Sequence, residues 1–322
     1  MRAIVYERYG PPDVVELREL DQPALTDDGL LVRVHAASLN MFDWHMLTGV
    51  PYVARLQAGL RKPKSGAMGV DFAGTVEAVG KDVEGFRPGD EVFGARTGAL
   101  AEYVSVRKTV ATKPANVTFE QAAAVPLAGI TALQGLRDKG RLEAGQKVLI
   151  NGASGGVGSL AIQIARSFGA EVTGVCSTGN VDTARSLGAE HVIDYTKEDF
   201  TRGGQRYDLI LDVAGNRSWS DCKRVLEERG RLVIVGGPKT NRWVGPLGVV
   251  VGRRLASIAG TRKVVAPFLA KLNNDDLAVL RDLLETGKLT PFVERPYELR
   301  EAAEALRYIG TGHARGKVIV TA

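Results

Sequence analysis

From Lys147 to Ala170 the chain reads "KVLINGASGGVGSLAIQIARSFGA". An apolar strand run leads directly into a turn with glycine at 152, 155, 156 and 158, and a helical pattern starts at once. Val157, Leu160, Ala161, Ile164, Ala165 and Phe168 form one helical stripe. On the pattern G-x-G-x-x-G, Ala153 holds the first position, Gly155 the second and Gly158 the third. The second must lack a side chain so that main chain can approach a pyrophosphate, and the third lets the helix pack closely on its strand. The free N–H groups and dipole of the helix then face the phosphates. Strand before and helix after is the context that separates a dinucleotide site from a bare tight turn.

The flanking pattern agrees. Strand runs at 147–150, 171–176, 191–195, 207–215 and 230–237 alternate with helical segments, among them "VDTARSLG" and a stretch around 218–228. Apolar strands separated by helices imply a parallel sheet covered on both faces, a doubly wound α/β domain. Residues 1 to about 120 read differently, as short strands and turns such as "LLVRVHAASLN" and "AGTVEAVG". "TFEQAAAVPLAGITALQGL" is helical, with Thr118 and Gln121 spaced as a capping box. The tail supplies two amphipathic helices and a closing strand, "GKVIVTA", whose host is the N-terminal β-rich domain.

A length of 322 residues is room for two cores. The net charge of +5 is scattered, its densest clusters being Arg61-Lys62-Pro63-Lys64 and Arg253-Arg254, which argues against nucleic-acid binding. Cys176 and Cys222 are the only cysteines, so a disulfide framework and a four-cysteine zinc site are excluded. The start lacks a signal-peptide core, and the apolar run Val244–Gly252 is too short to span a bilayer, which makes the cytoplasm the expected location.

The end of the second strand bears on the choice of dinucleotide. NAD-binding domains place Asp or Glu there to hold the ribose hydroxyls. Here stand Ser177 and Thr178, with no carboxylate in the loop to repel a 2′-phosphate, which favours NADPH over NAD(H). No Arg or Lys occupies the loop either; Arg185 and Lys197 are the candidate charge partners.

"GQKVLINGASGGVGSLAIQIAR" resembles the quinone oxidoreductase (zeta-crystallin-like) signature of the medium-chain dehydrogenase/reductase superfamily. "AASLNMFDWHMLTG", "MGVDFAGTVEAVG", "FRPGDEVFG", "LGAEHVIDY" and "GHARGKVIV" follow in family order, so the resemblance covers nearly the whole chain. It implies a GroES-like β-rich catalytic domain built from residues 1–120 and 261–322, with a Rossmann NADP-binding domain inserted at 121–260. It also implies the zinc-free branch. The superfamily's ligand cysteine and histidine correspond to Asn40 and Val70, neither a good zinc ligand.

By the same resemblance, Asn40 and Thr131 stand beside the nicotinamide, and Tyr52 is the candidate proton donor, with simple packing as its alternative. Asp43 and His45 lie near the presumed site, with structural roles favoured. The candidate coenzyme contacts are Ser154, Gly155, Gly156, Val157 and Gly158 in the turn, Ser177, Thr178 and Tyr195, and Val213, Gly215, Gly236 and Gly237 at strand ends. Arg315 and Lys317 are the candidates to reach its phosphates. The implied activity is NADPH-dependent reduction of a quinone or an α,β-unsaturated carbonyl. Alternatives are a non-catalytic NADPH-binding sensor or structural protein and an enoyl-thioester reductase. A homodimer or homotetramer is expected; the stretch 241–260 could cover the substrate or join subunits.

Overall fold

The computed structural model describes residues 1–236, 262–265 and 268–322. Along the chain come strands β1 (Arg2–Val5), β2 (Glu16–Glu19) and β3 (Leu30–Leu39), then helices α1 (Met41–Thr48) and α2 (Arg55–Ala58). Strands β4 (Asp71–Val79), β5 (Glu91–Ala95), β6 (Tyr103–Val106) and β7 (Val110–Thr112) precede α3 (Phe119–Ala123) and α4 (Pro126–Leu133). An alternating run follows: β8 (Lys147–Asn151), α5 (Gly156–Ser167), β9 (Glu171–Cys176), α6 (Val181–Ser186) and β10 (His191–Asp194). It continues with β11 (Tyr207–Asp212), α7 (Trp219–Arg224), β12 (Leu226–Ile234) and β13 (Lys263–Val265). The chain closes with α8 (Asn274–Glu285), β14 (Val293–Glu298), α9 (Ala302–Thr311) and β15 (Lys317–Thr321).

These elements form two compact units, one of Met1–Ile130 with Lys271–Ala322 and one of Thr131–Ala270. The divisions lie about ten residues later than the sequence suggests. Helix α3 packs on β3 and β4, which keeps residues 119–123 with the first unit.

The first unit is built on a seven-stranded sheet in the order β14-β15-β3-β4-β5-β7, with β6 also paired to β3. The closing strand β15 lies antiparallel to β3, Val318 opposite Leu39 and Val320 opposite Ala37. This GroES-like core buries Leu30, Val32, Leu39, Phe72, Val92, Leu306 and Val318 together.

Among the described residues the second unit holds six strands in one parallel sheet, in the order β10-β9-β8-β11-β12-β13. Strand order runs outward from β8 in one direction and from β11 in the other. The β8/β11 pair is therefore the topological switch point, where an open α/β sheet leaves a crevice beyond the carboxyl ends of its strands. Burial of Val148, Leu149 and Ile150 matches a strand covered on both faces. Helix α5 is buried continuously from Gly158 to Ala165, wider than the predicted stripe.

Two sequence expectations are revised. The helix predicted through residues 118–136 is broken, because Pro126 has no N–H to continue α3 and instead starts α4. The Thr118–Gln121 capping box is present. The helix expected around 218–228 ends at Arg224, since the Val225 carbonyl accepts from Tyr207 N and Leu226 joins the sheet beside Tyr207.

Candidate functional site

The glycine turn sits at the carboxyl end of β8, on the switch point. Gly152 takes a left-handed conformation (φ +94°), and the amides of Gly152 and Ala153 donate to the Val175 carbonyl at 3.1 and 3.0 Å. Ala153 is fully buried; its methyl finds room because β9 carries Gly174 opposite, where an added Cβ would lie 3.1 Å away. This explains how alanine serves at the first motif position. A Cβ on Gly158 would fall 2.1 Å from the Gly152 carbonyl oxygen, so this glycine is required by packing. Gly155 differs: its φ of −82° suits any residue, and an added Cβ would meet only the Gly152 oxygen, at 3.7 Å. The protein itself does not need a glycine there.

Gly155 is also the N-cap of α5, which has no side-chain cap and no acidic residue in its first turn. The first amides of that helix therefore lack intrahelical acceptors and carry its positive dipole end. An uncapped helix start beside bare main chain, at a switch point, fits a dinucleotide pyrophosphate. Ser154, Gly156 and Val157 are half-buried along this turn.

At the end of β9 the structure adds a residue that loop composition does not show. Asp194, last in β10, pairs in register with Cys176, and its carboxylate accepts from Thr178 Oγ1 at 2.6 Å and Thr196 Oγ1 at 2.7 Å. These hydroxyls hold the Asp194 carboxyl down at about 2. Ser177 Oγ accepts from Asn180 Nδ2 at 3.0 Å. The loop itself holds no carboxylate, but the inference drawn from that is incomplete: one comes from the adjacent strand, eighteen positions beyond Cys176. Tyr195 follows it, with half its surface exposed. Arg185 pairs with Asp182 at 3.7 Å and Lys197 with Asp194 at 3.6 Å.

The ends of β11 and β12 meet the same crevice. Val213 N donates to the Asn151 carbonyl at 2.9 Å, and Gly215 N to Asp212 Oδ1 at 2.8 Å. Asn151 Nδ2 bridges the switch point to Asp212 Oδ1 at 2.8 Å. A Cβ on Gly236 would strike the Val213 carbonyl oxygen at 2.0 Å, which makes it a packing glycine. Gly237 and the 241–260 stretch lie outside the described residues. Thr131 is in α4.

In the first unit, Asn40 joins β3 to α1. Its amide is gripped at both ends: Oδ1 accepts from Lys317 Nζ at 2.5 Å, and Nδ2 donates to Asp71 Oδ2 at 2.9 Å. Asp71, fully buried, also accepts from Ser38 Oγ at 3.0 Å and from the Leu127 amide at 2.9 Å. Lys317 is only 2% exposed, and its ammonium lies 3.4 Å from Asp71. The expectation that Lys317 reaches coenzyme phosphates is therefore corrected. Its charge is consumed inside the β-rich unit, because burial demands a partner for it. Arg315 is exposed and its amide donates to Glu294.

Asp43 accepts from the Asn40 amide at 2.7 Å, the position of a capping residue. Burial, with the neighbouring Asp71, lifts its carboxyl to about 7. Tyr52 is half-buried with the Arg55 guanidinium 4.7 Å from its ring centre; Arg55 also covers Tyr9 and donates to the Gly49 carbonyl. His45 Nδ1 lies 2.7 Å from the Val50 carbonyl, and His35 Nε2 2.9 Å from Thr75. Among the described residues no three His, Cys, Asp or Glu side chains gather as a metal site. Nor is any described helix long and apolar enough to cross a membrane.

Comparison with known proteins agrees with this architecture. Residues 26–116 match the alcohol dehydrogenase GroES-like domain and residues 187–320 the zinc-binding dehydrogenase family. The chain is 34% identical to 2-methylene-furan-3-one reductase of Solanum lycopersicum, over 99% of this chain and 79% of that protein. Identity to the NADPH-dependent alkenal/one oxidoreductase of Arabidopsis thaliana is also 34%, with the same coverage. Among solved structures, the quinone oxidoreductase from Coxiella burnetii superposes with a TM-score of 0.86 at 33% identity, covering 100% of this chain and 99% of that one. The Escherichia coli quinone oxidoreductase complexed with NADPH gives 0.83 at 26% identity over the full length of both chains. A GroES-like unit with an inserted Rossmann-type sheet defines an oxidoreductase of the medium-chain class. The chain belongs to the medium-chain dehydrogenase/reductase superfamily, in its quinone oxidoreductase branch.

Proposed function

We propose that the chain reduces quinones or α,β-unsaturated carbonyls with NADPH and without zinc. The observation that carries this is the turn at Gly155. It is a glycine that the fold does not require, at an uncapped helix start on the switch point. The printed activities of the relatives support the substrate class and NADPH. Bound NADPH supplies the hydride.

The chain's own residues do the rest. The amides after Gly155 hold the pyrophosphate, and Ser154, Val157, Tyr195, Val213 and Gly215 extend that contact. Reduction of a conjugated carbonyl gathers charge on an enolate oxygen, which hydrogen-bond donors can stabilise. Tyr52 is the proposed donor, and Thr131 is a proposed contact on the nicotinamide side. Asn40, gripped by Lys317 and Asp71, is held in one orientation for the same task. A buried ammonium bonded to the residue that corresponds to the ligand cysteine, with Val70 at the histidine position, supports a zinc-free reaction. A cytoplasmic homodimer or homotetramer completes the proposal.

The test is NADPH oxidation, followed at the nicotinamide absorbance, against a panel of quinones and enones with ethanol as control. Turnover confined to the panel and indifferent to chelators is expected; loss of activity on chelation would refute the zinc-free step. Tyr52→Phe should lower kcat on the order of a hundredfold, with the NADPH Kd unchanged. An unaltered kcat removes Tyr52 from the mechanism.

A further inference from the structure

We propose that Asp194 sets the coenzyme ratio: its carboxylate, lodged between Thr178 and Thr196, penalises a 2′-phosphate, so that NADH competes with NADPH at this site. This rests on the dinucleotide reading above. The loop after the second strand of such a sheet meets the 2′ position of the adenosine ribose, and here that loop begins with Ser177 and Thr178.

A hydroxyl carries one hydrogen. Thr178 gives its own to Asp194 Oδ2 at 2.6 Å, so toward a ligand it offers only lone pairs. A ribose 2′-hydroxyl can donate to such an oxygen; a phosphate oxygen, acceptor only, is turned away. Ser177 keeps its hydrogen, because its oxygen accepts from Asn180.

Charge points the same way. A group within hydrogen-bonding reach of Thr178 stands roughly 5 Å from the Asp194 carboxylate, two hydrogen-bond lengths in series. At that separation like charges repel appreciably unless solvent or a cation intervenes. Among the described residues the two candidate cations already have partners: Lys197 lies 3.6 Å from Asp194 itself, and Arg185 lies 3.7 Å from Asp182. Lys197 thus offsets part of the Asp194 charge instead of standing over to meet a phosphate.

The experiment is calorimetric titration of the intact protein and of Asp194→Asn and Asp194→Ser with NADPH and with NADH. Both replacements keep a polar group for Thr178 and Thr196. The native Kd values should lie within about tenfold of each other, and each variant should tighten NADPH about tenfold while NADH moves less than about threefold. That gain should shrink at high salt. Native preference for NADPH of a hundredfold or more overturns the assignment without any variant. So does an NADPH-to-NADH ratio that neither substitution moves. If the native protein binds neither coenzyme, the dinucleotide reading itself fails, and this assignment with it.

Discussion

Gly158 and Gly155 stand three residues apart in one motif, and the structure assigns them different reasons for existing. In Gly158→Ala the new methyl would lie 2.1 Å from the Gly152 carbonyl oxygen and 2.9 Å from Ala153 Cα, both main-chain atoms. A Cβ sits in ordinary contact only from 3.4 Å outward, so α5 must lift from the turn by about 1 Å. Overpacking of that size costs about 1–3 kcal/mol, and the better helix propensity of alanine returns at most about 1. A loss of about 1–2 kcal/mol should lower Tm by about 2–4 °C in a chain of this length. The lifted helix start also loses a charge-assisted hydrogen bond to phosphate, worth about 1.5–3 kcal/mol, so NADPH affinity should fall about tenfold or more. In Gly155→Ala the methyl meets nothing closer than 3.7 Å. Stability should drop by about 1 kcal/mol or less, the weaker N-cap, yet the methyl projects where the pyrophosphate approaches and affinity should fall comparably. Thermal unfolding and calorimetric titration of the two variants side by side make the assay. Full NADPH affinity in Gly155→Ala would refute the assignment of that glycine to the ligand; an unchanged Tm in Gly158→Ala would refute the packing geometry.

The buried cluster of the first unit yields further outcomes. Lys317→Met leaves Asp71 without its ammonium, and breaking a buried pair costs about 3–5 kcal/mol, to be read by urea unfolding; a smaller loss than about 1 kcal/mol would mean that the carboxylate is satisfied by Ser38, Asn40 and the Leu127 amide alone. Asp43 ionises near 7 when folded and near 3.9 when unfolded, so the folded state holds its proton more tightly. Its contribution to stability is complete below about pH 4 and is lost as pH rises through 7, up to about 4 kcal/mol. Asp43→Asn keeps an acceptor for the Asn40 amide without the charge, and should gain on the native protein between pH 5 and pH 8 by about 1–3 kcal/mol in urea titrations. Parallel stability–pH curves for the two proteins would show that Asp43 is not carrying that proton.

The strand, turn and helix of the candidate coenzyme site are legible in the sequence because their information is local. A strand, a turn and a helix lie within 24 consecutive residues, and the spacing of Ala153, Gly155 and Gly158 marks where the turn falls; only the structure separates Gly158, bare because of packing, from Gly155. The same locality made Thr118 and Gln121 readable as a cap, since both belong to one helical turn. The closing strand was assigned to the N-terminal sheet because an apolar run at the chain end needs a ladder to complete its hydrogen bonds. Where the prediction overran, at Pro126 and at Arg224, a missing N–H and a neighbouring strand decided the boundary.

The sequence by itself determined the two-unit organisation, the parallel sheet and the glycine turn between β8 and α5, because hydrophobic period and glycine spacing act over a few residues. Only the tertiary structure decided what happens to charge. Asp194 reaches Thr178 through strand pairing, and Lys317 reaches Asn40 and Asp71 across about 250 residues or more of chain. A charge takes its role from the partner that burial forces on it. Partners brought together by sheet order leave no mark in local spacing.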